Sequence, residues 1–69
     1  MNPLILIVED EPEIARILEA AIRREGMRFE TAHTGSSAVD LHFRLKPDLI
    51  LLDVMLPDFD GLEVLKRVR

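Results

Sequence analysis

The 69-residue chain has no cysteine, no tryptophan and no tyrosine, and only three phenylalanines. Without cysteine, neither a disulfide nor a thiolate metal centre can hold the fold together. Three Phe and two His leave little with which to stack nucleic-acid bases, a mode of binding that relies on aromatic rings. Basic residues are also in the minority, 9 against 13 acidic ones, for a net charge of −4. That balance disfavours sequence-independent binding to nucleic acid or to an anionic membrane surface, since both need a basic face. No apolar stretch approaches the roughly 20 residues of a membrane span. The N-terminus shows neither a basic n-region nor a small-residue cleavage site, so a cytoplasmic protein is expected. A chain of this length holds at most one domain and buries only about 60% of the surface its unfolded form exposes.

What remains is 48% hydrophobic and 32% charged, an ordinary globular balance. "LILIV" (4–8) is unbroken and rich in β-branched residues, as in a strand covered on both faces. Pro12 fits the first turn of a helix, Ile14, Ile17, Leu18, Ala21 and Ile22 follow at helical spacing, and Gly26 terminates the run. "MRFETA" (27–32) alternates and carries charge, so it reads as a strand with one wet face or at an edge. "HTGSS" (33–37) is a turn cluster able to cap a helix, whose inner stripe is Ala38, Leu41 and Leu45 and which Pro47 closes. "LILL" (49–52) is a second fully apolar strand, and Leu62, Leu65 and Val68 begin a third helix.

Strand and helix alternating three times predict an α/β fold with a parallel sheet and right-handed crossovers. The charged strand belongs at an edge, which gives the order 2-1-3. That order reverses at the first strand, the place where open α/β sheets hold their ligands. There Glu9 and Asp10 leave one central strand, and Asp53, at the head of "DVMLPDFDG", leaves its neighbour. Three carboxylates at adjacent strand ends repel unless something positive intervenes. No glycine-rich loop is present to cradle a nucleotide phosphate, so a hard divalent cation with oxygen ligands, Mg²⁺, is the economical resolution. Blander readings compete. Asp10 or Glu11 could favour the helix start at Pro12 by capping or through the helix dipole, and Asp53 could stabilise the turn after it. Asp58 and Asp60 read as turn formers before Gly61, His42 as a partly buried, satisfied histidine, and His33 as a surface residue. Lys66, Arg67 and Arg69 read as cations in the last turn of a helix.

"LILIVEDEP", the "TG" before the second helix and "PDLILLDVMLPDFDGLEVLKRVR", in that order, resemble the receiver domain of bacterial two-component response regulators. The last stretch is most similar to the subfamily that carries a winged-helix DNA-binding domain. The resemblance implies a flavodoxin-like doubly wound sheet, here with three strands and three helices. It also implies that Asp53 accepts a phosphoryl group from a histidine kinase. By the same token Asp10, Asp53 and the main-chain carbonyl of Met55 hold Mg²⁺, Glu9 assists through water, and Pro57 and Gly61 shape the loop. Such a module is a phosphoacceptor, not a stand-alone turnover enzyme, and it controls transcription through a separate DNA-binding domain without touching nucleic acid itself. Residues 1–69 correspond to the N-terminal part of that domain. The fourth and fifth strands of the family pattern, with their Ser/Thr and Lys, are not encoded in it. Strand 49–52 is then an exposed apolar edge, and a homo-oligomer formed through it is expected. The alternative function is an interaction module that oligomerises without phosphotransfer.

Overall fold

The computed structural model describes residues 3–52, 58 and 61–68. Its elements are β1 (Leu4–Val8), α1 (Pro12–Arg24), β2 (Arg28–Ala32), α2 (Gly35–Leu45), β3 (Leu49–Leu52) and α3 (Gly61–Val68). All pairing is parallel and the sheet order is β2-β1-β3, as expected. The register runs from Leu4↔Arg28 to Val8↔Ala32 on one side of β1 and from Ile5↔Leu49 to Val8↔Leu52 on the other.

β1 is apolar at every position because successive side chains enter two different cores. Ile5 and Ile7 pack with Ile22 of α1, flanked by Leu18, Met27, Phe29 and Leu51. Leu6 and Val8 pack with Ala32, Ala38 of α2 and Val64 of α3. The result is three layers, with α1 on one face of the sheet and α2 and α3 on the other.

Three readings of burial are corrected, in β3, in α1 and at the end of α2. β3 is not covered on both faces: Leu49 is 53% exposed and Ile50, Leu51 and Leu52 are half-buried. Among the described residues β3 pairs with β1 alone, so one side of it lacks a neighbour. In α1 the inward line is Ala15, Leu18 and Ile22, whereas Ile14, Ile17 and Ala21 are exposed. In α3 Gly61 and Val64 are buried and Val68 is half-buried, while Leu62 and Leu65 face outward. A helix turns about 100° per residue, so an apolar set wide enough to allow two inner faces leaves the choice to packing. Leu45 in the last turn of α2 is likewise exposed.

The helix ends follow local chemistry. Pro12 opens α1, and Gly26, at φ 77°, closes it. The Gly26 N–H donates to Arg23 O (3.0 Å) and the Met27 N–H to Ile22 O (3.3 Å), the paired bonds of a Schellman cap. No atom lies within 4 Å of where a Gly26 Cβ would stand, so glycine is required there by backbone angle and not by space. α2 is capped by Thr34, whose Oγ1 accepts from the Ser37 N–H at 3.1 Å. It ends at Lys46 in the left-handed region (φ 50°), just ahead of Pro47. The entry to β3 is fastened to the start of β1: the Leu4 N–H donates to Asp48 Oδ2 (2.7 Å), and the Asp48 N–H donates to Leu4 O (2.8 Å).

Candidate functional site

At the carboxyl end of β1 the Glu9 N–H donates to Ala32 O at 3.0 Å, carrying the ladder to β2 one step past the strand. Glu9 is only 7% exposed. Its Oε2 accepts from the Glu11 N–H at 3.2 Å, so the carboxylate folds back across the start of α1. Its carbonyl oxygen lies 2.9 Å from His33 Nδ1. A carbonyl only accepts, so Nδ1 carries the hydrogen and His33 donates. Asp10 follows, half-buried in the bend before α1. Glu11, the N-cap of α1, makes no side-chain capping bond. The capping alternative for these acids therefore gains no hydrogen bond at Glu11.

β3 brings its own end to the same place, since Val8 pairs with Leu52 and Asp53 is the next residue in the chain. Asp53, Met55 and Pro57 lie outside the described residues, whereas Gly61 is the buried first residue of α3. A cleft of about 420 Å³ opens where the two strands end beneath α1, lined by Val8, Glu9, Ile14, Leu18, Leu51 and Leu52. Among the described residues no three His, Asp or Glu side chains form a metal-binding group. Glu9 and Asp10 supply two adjacent carboxylates, a hard-oxygen donor set of the kind Mg²⁺ takes.

Two residues take roles that local sequence reading missed, and a third differs in its surroundings. Asp58, read as a turn former, accepts from the first two N–H groups of α2: Gly35 N to Oδ1 at 2.6 Å and Ser36 N to Oδ2 at 2.8 Å. Desolvation pushes its carboxyl up, but the bonds from Ser36 and Gly35 outweigh this and bring it from 3.8 down to about 2. His33 is exposed as expected, yet its ring also braces the Glu9 backbone. His42 is half-buried, but its Nδ1 is without a hydrogen-bond partner, against the expectation of a satisfied ring. The ring instead meets Phe43 edge-on, with centroids 5.0 Å apart. Asp58 lies 23 positions beyond Gly35, and His33 lies 24 beyond Glu9, so no local spacing rule could have joined either pair.

The family model for the response regulator receiver domain matches residues 5–69. The chain belongs to that family. The transcriptional regulatory protein TrcR of Mycobacterium tuberculosis is 45% identical over 65 residues, which cover 94% of this receiver chain and 25% of TrcR. The response regulator TrrA of Thermotoga maritima, solved in complex with Mg²⁺-BeF, is 38% identical with a TM-score of 0.93. That match covers all of this chain and 59% of TrrA. A chain of the Saccharomyces cerevisiae co-crystal of the phosphotransfer protein Ypd1 with the receiver domain of its downstream response regulator Ssk1 is 30% identical, with a TM-score of 0.90. The overlap there is 96% of this chain and 46% of the other. This receiver chain thus spans about a quarter of the curated relative and about half of each solved one. Its three parallel strands in the order 2-1-3, with three helices, are part of the flavodoxin-like receiver fold.

Proposed function

We propose that residues 1–69 are the N-terminal part of a receiver domain that accepts a phosphoryl group on Asp53 from a histidine kinase. Asp10, Asp53 and the Met55 carbonyl hold Mg²⁺, and Glu9 assists through water. The observation that carries this reading is the placement of Glu9 and Asp10 at the sheet's reversal point, beside the strand end that leads into Asp53. In the transfer a carboxylate oxygen of Asp53 forms a bond to phosphorus while the phosphorus–nitrogen bond of the donor phosphohistidine breaks. The electron pair returns to the imidazole and leaves an acyl phosphate on the protein. Mg²⁺, when held by these carboxylates, would offset the charge on the phosphoryl oxygens and the repulsion between the acids. The chain's own part is to hold the acids still: β1 is buried, and Glu9 is tied through its N–H, carbonyl and carboxylate.

The Mg²⁺-BeF complex of TrrA and the pairing of Ypd1 with Ssk1 support the cation and the phosphohistidine donor. Likeness to TrcR supports an output in transcription, exerted through a part of the protein other than these residues. A cytoplasmic setting goes with a kinase donor, and no helix among the described residues is long and apolar enough to cross a membrane. A second reading, self-association through β3, is favoured by the one-sided pairing of that strand and the exposure of Leu49.

The test is intact mass after incubation with acetyl phosphate, with and without Mg²⁺, beside Asp53→Asn. A single phosphoryl adduct that needs Mg²⁺ and disappears in the variant is expected. No adduct on a chain that circular dichroism reports as folded would leave self-association as the better account.

A further inference from the structure

Asp10 stands in the bend between β1 and α1 with a hydrogen bond on the peptide group at either side of it. In the peptide before it, the Glu9 carbonyl oxygen takes the His33 Nδ1–H at 2.9 Å. In the peptide after it, the Glu11 N–H donates to Glu9 Oε2 at 3.2 Å. A peptide unit is planar, so a bond to one of its atoms restrains the whole plane. The planes on either side of a residue set its φ and ψ, and with them the direction in which its side chain leaves the chain. One step earlier the Glu9 N–H donates to Ala32 O at 3.0 Å. The acid pair is therefore anchored to two consecutive residues, Ala32 at the end of β2 and His33 just past it.

The three bonds differ in what they ask of the sequence. The bond to Ala32 O is made by backbone alone and extends the ladder between β1 and β2. The bond from Glu11 to Glu9 closes within the acid turn and moves with it. Of the three, only the bond from His33 has a side chain 24 positions away holding the turn. The register Val8↔Ala32 brings residue 33 level with Glu9, and a histidine there spends its ring donor on a main-chain oxygen although the residue is exposed. We infer that His33 is a positioning residue for the divalent cation: by donating Nδ1–H to Glu9 O it fixes the peptide between Glu9 and Asp10, and so sets the affinity of this acid pair for Mg²⁺.

This inference rests on the reading of Glu9 and Asp10 as cation ligands, and its test separates the two. Mg²⁺ is titrated into the protein and its affinity measured by calorimetry, while the amide signals of Glu9 and Asp10 are followed by NMR to place the cation at these residues. The unsubstituted protein is compared with His33→Ala, His33→Asn and Asp10→Asn. Asparagine carries an N–H donor as many bonds from its Cα as Nδ1 is in histidine. His33→Ala is expected to bind Mg²⁺ about tenfold more weakly, the lower end of the range seen when groups that support a metal site are removed. His33→Asn should recover most of that loss, and Asp10→Asn should abolish the shifts at residues 9 and 10. Because His33 is exposed, its removal uncovers little and the variants should stay folded. An Mg²⁺ affinity unchanged in His33→Ala, whatever its thermal midpoint, overturns the inference and leaves the acid pair as cation ligands. His33→Asn binding as weakly as His33→Ala would show that the donated hydrogen does not set the affinity, and overturns it too. An unsubstituted protein that binds no Mg²⁺, or binds it equally well after Asp10→Asn, overturns the reading of the acids and this inference with it.

Discussion

Asp58 joins the link after β3 to α2 by charge, and that makes the joint sensitive to acid. Its folded value, about 2, lies below the ordinary 3.8. The stabilisation it brings is therefore complete above about pH 5, where the carboxylate is ionised in folded and unfolded chains alike. It declines as the pH falls through the ordinary value and is gone below the folded one, because the unfolded chain takes up the proton first. The unsubstituted protein should exceed Asp58→Asn in thermal midpoint at neutral pH, and the gap should close as the pH is lowered towards 2. A gap that stays constant across that range would show that the N–H bonds to Asp58 do not depend on its charge. Residues of this kind mark where sequence reading stops. Glu9 and Asp10 were legible because they end an apolar strand at a reversal point that pattern alone fixes. The bonds Asp58–Gly35 and His33–Glu9 close over more than twenty residues, and only the folded sheet brings their members together.

Helix ends were the most legible elements, because their chemistry is local. Pro12, Gly26, Thr34 and Pro47 each stand at or beside a boundary for a stated steric or hydrogen-bonding reason. Two substitutions test this. Thr34→Ala removes the acceptor for the Ser37 N–H and should cost about 1 kcal/mol in chemical denaturation. Gly26→Ala keeps all the space it needs yet must hold a positive φ, and should cost about 1–2 kcal/mol. Equal stability of Gly26→Ala and the unsubstituted chain would mean that the turn after α1 relaxes out of the left-handed region. Helix faces were less legible than helix ends. In α1, Ile14 and Ile17 are as apolar as Ile22, and the periodic pattern cannot tell which line meets the sheet. Packing against Ile5 and Ile7 selects Leu18 and Ile22, with Ala15 buried on the same line, and leaves Ile17 facing out and Ile14 exposed at the cleft.

For the molecule as a whole, sheet order is what matters. Placing β1 in the centre buries Ile5, Leu6, Ile7 and Val8 almost completely. It also sends both flanking strands to edges with different characters. β2 carries Arg28 and Glu30 at exposed positions, charges of the kind that discourage another strand from adding there. β3 is "LILL", with no charge along its length, a more than half-exposed Leu49 and backbone groups unpaired on one side among the described residues. The unbroken apolar run by itself suggests a strand enclosed on both faces, whereas its place at an edge comes from the sheet order and the family pattern; among the described residues it pairs with β1 alone. An uncharged open edge is a template for strand pairing. The 69-residue chain should therefore sediment as a dimer or larger species, with two copies meeting along β3. Leu49→Lys puts a charge on that edge at a site where little burial is lost, so it should shift the chain to monomer without a drop in helical signal. A chain that sediments as a monomer without the substitution, and unfolds in one cooperative step, would remove self-association through β3 from the account and leave the acid cluster at Glu9 and Asp10 as its functional feature.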